Sequence, residues 1–298
     1  MDAGGMTSIG GFEERIVETV DGLTLYARDY APLAPATGLP VICLHGLTRN
    51  SRDFEVIAPR IAALGRRVLA PDMRGRGKSA NDPDPAHYVP AVYAQDVLSL
   101  LDKLEVPKAV FLGTSMGGLI TMLIGTLAPD RIAAAVLNDI GPKLEAAGLA
   151  HLLTYVGRGQ PLPSWDGAAL AVRNAVGHAY PAKADDAAFW DTLARRAYRQ
   201  NEDGQVEADY DSSIALTMID PETTPIPDLS PIFQSIVSKP LLSVHGALSN
   251  ILSLEGVAYM RGLKPDLHTV EVENVGHAPC LDEPEAWDGV LDFLAQVE

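Results

Sequence analysis

The sequence predicts an α/β protein with a mostly parallel eight-stranded sheet, helices on both faces and a helical lid inserted after the sixth strand. Short β-rich runs alternate with longer segments of helical periodicity, which is typical of this class. This alternation is interrupted between Pro142 and about Ser230, where helical patterns continue without a convincing strand. A chain of 298 residues, 47% of them hydrophobic, can bury one large core with an insertion.

The predicted strands comprise an antiparallel pair at the start of the sheet and buried parallel strands after it. The first two should form an antiparallel hairpin, because Asp21-Gly22 lies between them and this dipeptide favours tight turns. The later strands are short and apolar throughout, as buried parallel strands are. The eight predicted strands are Glu14–Thr19, Leu23–Tyr30, Val41–Leu44, Arg67–Ala70, Ala109–Gly113, Ala134–Asn138, Leu241–His245 and His268–Val272.

Helical periodicity fills the gaps between the strands. Apolar residues recur at helical spacing over Tyr93–Leu104, and the apolar segment Met116–Leu127 should end before Pro129. Four further helices are expected in the region without strands: Glu145–Val156, Gly167–Val176, Asp185–Gln200 and Asp209–Met218. The predicted core is therefore residues 1–141 and 231–298, with residues 142–230 as the lid. Open α/β sheets bind ligands at the carboxyl ends of their strands, so the insertion should cover a site there. The alternative is a helical layer that only thickens the core.

Composition excludes several classes of function. The net charge of −16 argues against nucleic acid or an anionic membrane as a partner, and the local basic run Arg74, Arg76 and Lys78 does not reverse it. The two cysteines, Cys43 and Cys280, form no CxxC pair and are expected to be reduced thiols. No export signal is apparent at the start of the chain, and no apolar run approaches a membrane span. These features predict a cytoplasmic protein that acts on a small molecule, and its oligomeric state stays open.

The strongest motif is a glycine-flanked serine between a strand and a helix. Residues 113–118 read GTSMGG, after the apolar strand Ala109–Leu112 and before an apolar helix. In this context a G-x-S-x-G sequence forms a turn too sharp for side chains beside the serine, and the serine hydroxyl stands clear of the sheet. Ser115 is thus the candidate nucleophile, and the N-terminus of the following helix favours an anion.

Two other loops follow strands and complement this serine. His45-Gly46-Leu47 comes after the third strand, and the N–H groups of Leu47 and Met116 are the candidate oxyanion donors. His45 itself is expected to be structural. His277 lies in a glycine loop after the last strand and is the candidate general base. A solvent-exposed loop histidine is the alternative for His277 alone.

The whole pattern resembles the α/β-hydrolase superfamily, in its lid-bearing esterase, lactonase and C–C hydrolase branch. The residues that carry this resemblance are His45-Gly46, Pro71–Ser79, Gly113–Gly118, Asn138–Pro142 and Gly276-His277. The resemblance implies that the serine attacks an ester or related carbonyl, that the histidine moves its proton, and that an acid after the seventh strand supports the histidine. It calls for no metal or organic cofactor, and the seven histidines show no zinc-binding spacing.

The position of the acid is where the chain departs from the family. The resemblance places the acid at Asn250, an amide, which can accept a hydrogen bond from histidine but brings no charge. Three hypotheses follow: the acid has moved, with Asp139 as the best substitute; Asn250 is a deliberate replacement of aspartate that slows turnover; or the chain is a natural relative with weak catalysis. The alternative for Asp139 is a structural carboxylate that bonds loop backbone.

The sequence therefore predicts a cofactor-independent serine hydrolase that cleaves a small-to-medium, largely apolar carboxylic ester or lactone through an acyl-enzyme. Hydrolysis of a C–C bond in ring-fission products, haloperoxidase-like activity and weakly catalytic ligand binding are the alternatives, since the triad residues do not discriminate among them. The aromatic residues that are candidates for the pocket are Tyr155, Trp165, Trp190 and Tyr198.

Overall fold

The structure is a computed structural model that describes residues 11–297. It contains one eight-stranded sheet, formed by β1 (Glu13–Glu18), β2 (Thr24–Tyr30), β3 (Val41–Leu44), β4 (Val68–Pro71), β5 (Ala109–Thr114), β6 (Ile132–Asn138), β9 (Leu241–Gly246) and β10 (His268–Val272). The order of the strands across the sheet is β1-β2-β4-β3-β5-β6-β9-β10. Each overlaps one of the eight predicted strands, and the predicted sheet is confirmed.

The sheet is mostly parallel. β1 and β2 form the expected antiparallel hairpin, with Glu18 opposite Thr24 across the Asp21-Gly22 turn. β2 also pairs antiparallel with β4. From β4 to β10 every neighbouring pair is parallel, so the carboxyl ends of these strands meet at one edge of the sheet. The loops that leave β3, β5, β6, β9 and β10 therefore approach one another, as ligand sites in open parallel sheets require.

Helices cover both faces of the sheet. The apolar sides of α2, α3 and α8 pack on one face, and those of α1 and α9 pack on the other. These helices are α1 (Ile57–Ala63), α2 (Pro90–Lys103), α3 (Met116–Leu127), α8 (Leu254–Leu263) and α9 (Pro284–Ala295); a short helix α7 spans Ser230–Gln234. No helix within residues 11–297 has both the length and the apolar character needed to cross a membrane.

The insertion between β6 and β9 is not wholly helical, so that part of the prediction is wrong. Besides α4 (Ala146–Leu153), α5 (Trp165–Val176) and α6 (Ala187–Ala197), it contains an antiparallel pair of strands, β7 (Tyr198–Gln200) and β8 (Val206–Ala208). The helix expected over Asp185–Gln200 therefore stops at Ala197. The tight turn at Gly204, whose φ is +77°, lets the chain reverse, and the β7–β8 pairing overrides the helical pattern. The helix expected over Asp209–Met218 is a 3₁₀-helix over Ser212–Thr217.

The two ends of the insertion lie side by side. The N–H of Leu229 donates to the carbonyl oxygen of Pro142 over 3.3 Å. The insertion also has a small apolar core of its own, which includes Tyr180, Trp190 and Leu193. This arrangement agrees with the boundaries predicted near residues 142 and 230, which stay a prediction. The prediction that no export signal is present concerns the start of the chain, and residues 1–10 lie outside the described part.

Candidate active site

Ser115 lies at a sharp turn between β5 and α3. Its φ of +52° and ψ of −115° are a strained combination for a residue with a side chain. The flanking glycines permit the turn. A Cβ on Gly113 would lie 2.4 Å from the carbonyl carbon of Gly117, and one on Gly117 would lie 2.1 Å from the carbonyl oxygen of Leu44. The predicted strand–turn–helix context of Ser115 is therefore present, with the side chain at the edge where the parallel strands end.

His277 touches this serine. Its Nε2 lies 2.8 Å from Ser115 Oγ. The loop after β10 is held from two sides, since Asn138 Nδ2 donates to the carbonyl oxygen of Pro279 over 2.8 Å and the Tyr180 hydroxyl donates to that of Ala278 over 2.6 Å. One anchor belongs to the sheet and the other to the insertion. The imidazole is thereby fixed over Ser115, at the distance that proton transfer needs.

Asp139 completes a chain of hydrogen bonds. Its Oδ2 lies 2.7 Å from His277 Nδ1 and accepts from Ser249 Oγ over 2.6 Å, while its Oδ1 accepts from the N–H of Gly246 over 3.0 Å. The side chain is fully buried, and its backbone φ is +55°. Asp139 comes directly after β6, so the carboxylate reaches the histidine from the strand next to the serine's strand.

Asn250 does not occupy the place that the resemblance implied. Its amide Nδ2 lies 3.5 Å from His178 Nε2, and within residues 11–297 no hydrogen bond joins it to His277. The cause is the course of the loop after β9. Ser249 turns inward to Asp139, and the next residue faces the insertion, where its carbonyl oxygen packs against Gly148. The expectation that Asn250 stands beside His277 therefore needs correction: the acidic side chain there is Asp139.

The two candidate oxyanion donors lie beside the serine. Leu47 lines the same cavity, and Met116 is the first residue of α3, whose first-turn N–H groups lack helical partners. The buried guanidinium of Arg76 joins both, because its Nε donates to the Leu47 carbonyl over 3.0 Å and its Nη2 lies 3.7 Å from Met116 Sδ. Arg76 thus fixes the loop and the helix start relative to each other.

His45 is structural, as expected. It is fully buried, and its Nδ1 donates to the Gly46 carbonyl over 2.8 Å while its Nε2 accepts from the N–H of Met73 over 3.0 Å. Burial lowers the pKa of His45 to about 4. The ring is therefore a neutral bridge between the loop after β3 and the segment after β4.

A cavity of about 400 Å³ opens above Ser115. The loops of the core form its floor, and α5, α6 and the β7–β8 segment form its walls. Of the aromatic candidates, Tyr155 and Tyr198 line it, whereas Trp165 and Trp190 do not and Trp190 packs inside the insertion. Cys280 lines the cavity too, and burial raises the pKa of its thiol to about 12, which fits a packing thiol and not a nucleophile.

Three residues that the sequence interpretation missed bear on the site. Arg49 lines the cavity and pairs with Asp53 four residues later, Arg76 braces the loop after β3, and Ser249 binds Asp139. The i, i+4 spacing of Arg49 and Asp53 is a weak indication, visible in the sequence, that the two side chains form an ion pair. The inward direction of these side chains depends on the packing of distant segments, which the sequence does not display.

Two clusters in the described part have metal-binding side-chain types. Asp21, Asp82 and His87 form one, but the guanidinium of Arg74 already binds both carboxylates. The other consists of Cys280, Asp282 and Glu283. One carboxylate oxygen of Glu283 accepts the N–H of Cys280. Neither cluster contains a member of the Ser115–His277–Asp139 chain.

Comparison with known proteins agrees with this geometry. The family model of the alpha/beta hydrolase fold matches residues 40–284. The chain belongs to the α/β-hydrolase family. The matched range contains Ser115, Asp139, His277 and the insertion. Relatives in this family are named as hydrolases, which supports an enzyme with hydrolytic activity.

Among the relatives of this α/β-hydrolase, the 3-hydroxybutyrate-oligomer hydrolase of Cupriavidus necator is 32% identical over 257 residues, which cover 84% of this chain and 86% of the relative. A crystal structure of an α/β-hydrolase from Novosphingobium aromaticivorans is 40% identical, with a TM-score of 0.89 over 97% of this chain and 100% of that one. The structure of E-2-(acetamidomethylene)succinate hydrolase is 25% identical, with a TM-score of 0.80 over 95% of this chain and 99% of that one.

Proposed function

We propose that the protein is a serine hydrolase of carboxylic esters, with Ser115 as nucleophile, His277 as general base and acid, and Asp139 as the acid of the triad. The observation that carries this proposal is the chain of two short contacts, 2.8 Å from Ser115 Oγ to His277 Nε2 and 2.7 Å from His277 Nδ1 to Asp139 Oδ2. Asn250 has no role in this chain. The residues and distances match the roles that nucleophilic acyl transfer requires.

The proposed reaction has two halves. Ser115 Oγ attacks the ester carbonyl carbon while His277 Nε2 takes the hydroxyl proton, and the N–H groups of Leu47 and Met116 stabilise the oxyanion. The intermediate collapses, the alcohol leaves with the proton from His277, and the acyl group stays on Ser115. A water molecule then attacks the acyl carbon with His277 again as base, which releases the acid and restores the serine.

Asp139 supports the charged form of His277 in both halves. The buried carboxylate accepts a hydrogen bond from Nδ1–H, stays ionised, and stabilises the imidazolium that forms when Nε2 takes the serine proton. The donors at Ser249 Oγ and the N–H of Gly246 hold the carboxylate in place. The proposed triad therefore contains a charged acid, Asp139. The two interpretations in which Asn250 weakens or slows catalysis are then not needed.

The size and walls of the cavity support a small or medium acyl substrate. A volume of about 400 Å³ lies near the lower end of ordinary ligand sites, and the apolar residues Leu47, Phe54 and Val172 contribute to the lining. The name of the Cupriavidus necator relative gives a hydroxy-acid oligomer as its substrate, and hydroxy acids oligomerise through ester bonds. Ester hydrolysis is therefore favoured over cleavage of a C–C bond.

Replacement of Ser115 tests the nucleophile. Ser115→Ala should lower kcat for p-nitrophenyl butanoate by about 10⁴-fold or more, because the acyl-enzyme cannot form. A fluorophosphonate probe should label the wild type once per chain and leave Ser115→Ala unlabelled, as intact-protein mass spectrometry can show. Unchanged hydrolysis by Ser115→Ala would refute the assignment, and turnover of vinylogous diketones without turnover of esters would favour C–C hydrolysis.

A further inference from the structure

The cavity above Ser115 is cationic, although the whole chain is strongly acidic. Three arginines line it, Arg49, Arg158 and Arg196, against one lining aspartate, Asp53. The net charge of the chain is −16. Arg196 is paired with Glu55 outside the lining, and Asp53 is paired with Arg49. The exposed Arg158 forms no ion pair within residues 11–297, so a positive charge is left at the cavity rim.

Arg49 has unused hydrogen-bond donors. Its Nε donates to both carboxylate oxygens of Asp53, at 3.1 and 2.9 Å, and its Nη2 donates to one of them at 2.5 Å. Within the described residues its Nη1 forms no hydrogen bond. This atom is not fully buried, so it can still reach a ligand. The side chain is 24% exposed and lines the cavity. A guanidinium held along one edge by Asp53 therefore presents its other edge to a ligand.

The Arg49 side chain starts close to Ser115. A Cβ built on Gly46 would lie 3.5 Å from Arg49 Cγ and 3.9 Å from Ser115 Cβ, so both side chains start beside the same point. Arg49 also shares the cavity with Leu47, whose N–H is a proposed oxyanion donor. Asp53 holds the guanidinium of this side chain, and both Arg49 and Ser115 line the one cavity that a bound substrate would fill.

Two hydroxyl groups extend the polar surface around Arg49. Tyr155 and Tyr198 line the cavity, and in the described part of the chain no hydrogen bond is formed by the hydroxyl of either. Burial raises the pKa of Tyr155 to about 12, and the Arg49 charge acts in the opposite direction. The phenol therefore remains a donor at neutral pH, next to a cation and without an acceptor of its own.

We propose that the substrate is an ester that also carries a free carboxylate, and that Arg49 binds this carboxylate through its unpaired edge. Half-esters of dicarboxylic acids and hydroxy acids acylated on their hydroxyl group belong to this class, since each keeps one free carboxylate. The inference rests on the proposed ester hydrolysis at Ser115 and specifies its substrate. Arg49 is then a specificity residue, since a neutral ester of equal size leaves its donors unpaired.

A matched pair of substrates tests the charge directly. The ester dimer of 3-hydroxybutyrate carries a terminal carboxylate, and its primary amide has nearly the same shape without the charge. We expect kcat/KM of the wild type to be about tenfold to hundredfold higher for the acid, as one charge-assisted hydrogen bond implies. The preference should fall as salt is added, because part of the attraction is coulombic.

Variants of the pair Arg49–Asp53 then separate recognition from folding. Arg49→Gln with Asp53→Asn removes both charges and should bring the acid-to-amide ratio of kcat/KM near one, whereas Arg49→Lys should keep part of the preference. Arg195→Gln is the matched control: Arg195 lies on α6 outside the cavity lining, and its loss should leave the ratio unchanged. Circular dichroism should confirm that each variant is folded.

The outcomes are distinguishable from failure of the proposed function. Hydrolysis of p-nitrophenyl butanoate, which has no carboxylate, reports the serine chemistry alone. If the wild type hydrolyses this ester but does not prefer the acid dimer over its amide, the carboxylate proposal is wrong while the serine hydrolase stands. An equal loss on acid and amide in the double variant would also overturn it, since Arg49 would then only shape the loop. Lack of any serine-dependent ester hydrolysis would refute the proposed function itself.

Discussion

At the scale of the residue, the acidic partner of His277 is decided by one neighbour of Asn250. Ser249 Oγ donates to Asp139 Oδ2 and also accepts the N–H groups of Ile251 and Leu252. The loop after β9 therefore wraps around a carboxylate that comes from β6. An aspartate at position 250 would have to give up its contact with the insertion and displace Asp139 before it could reach His277.

The two candidate acids should differ sharply on replacement. Asp139→Asn removes the buried charge beside His277, and we expect kcat for ester hydrolysis to fall by about 10⁴-fold, as the same change does in serine proteases. Asn250→Asp should change kcat by less than about threefold, because its side chain faces His178. Chromogenic ester assays at pH 8 measure both.

Asn250→Ala is the control for this pair, and it should behave like Asn250→Asp. A large gain of activity in Asn250→Asp would contradict the assignment and would show that the loop after β9 can supply the acid. Near-normal turnover in Asp139→Asn would make Asp139 a structural carboxylate.

At the scale of the element, the basic run in the loop after β4 is not a surface patch. Arg74 and Arg76 are each only 1% exposed. Arg74 binds carboxylates from the β1–β2 turn and from α2, and Arg76 binds the Leu47 carbonyl in the loop after β3. Of the three, Lys78 is the one that stays exposed, paired with Glu14. The run therefore serves as an internal brace, and its charges do not offer a binding face.

The β7–β8 segment of the insertion is attached to the core through Arg52 and, just after β8, through backbone bonds of Asp209 and Asp211 to Gly77 and Gly75. This guanidinium donates to the carbonyl oxygens of Arg196 and Tyr198 at 3.0 to 3.1 Å and to Asp209 Oδ2 at 2.6 Å. Asn50 Nδ2 adds a bond to the same Arg196 carbonyl over 2.8 Å. Asp209 is 3% exposed, so its charge depends on this partner.

Loss of the Arg52 anchor should loosen the insertion without unfolding the sheet. In Arg52→Gln we expect faster amide hydrogen exchange over residues 197–211, because the carbonyls and the buried Asp209 lose their main donor. KM should rise, since this segment forms a wall of the cavity. Exchange in β3, β5 and β6 should stay as in the wild type.

Arg199→Gln provides the comparison for this experiment, because Arg199 reaches Asp209 only at 3.6 Å and its closer pair, with Glu207 at 2.9 Å, lies on an exposed surface where ion pairs contribute little. Its effect on exchange should be small. Equal acceleration throughout the sheet in Arg52→Gln would mean that Arg52 stabilises the whole core.

At the scale of the whole molecule, stability should depend on pH through His45. Its pKa is about 6.5 in the unfolded chain and about 4 in the folded one, where burial disfavours the cation. Because the unfolded state binds the proton more tightly, this contribution to stability is fully present above pH 6.5. It is lost as the pH falls from about 6.5 to about 4.

Replacement of His45 should flatten the acidic limb of the stability profile. Between pH 7.5 and 4.5 the free energy of unfolding of the wild type should fall by about 2–3 kcal/mol more than that of His45→Gln. Urea unfolding followed by circular dichroism at each pH measures the difference. His268→Gln, at an exposed histidine, should keep the wild-type slope. Equal slopes in wild type and His45→Gln would contradict the buried neutral ring.

Much of this protein was determined by its sequence alone. The alternation of apolar strands and periodic helices specified the eight strands, since each segment can bury its apolar face only in that conformation. The glycines around Ser115 specified the turn, because side chains there would collide with β3 and α3. Ser115 and His277 followed from the motifs, since both lie in loops directly after strands.

Only the tertiary structure decided between Asp139 and Asn250. Both follow strands that end at the same edge, and the choice depends on the path of the loop after β9 and on which side chains fill the space beside His277. The same holds for β7 and β8, which exist because they pair with each other, and for Arg49, whose free edge is defined by Asp53 and by the walls of the insertion. These features depend on contacts between distant segments, whose geometry no local pattern encodes.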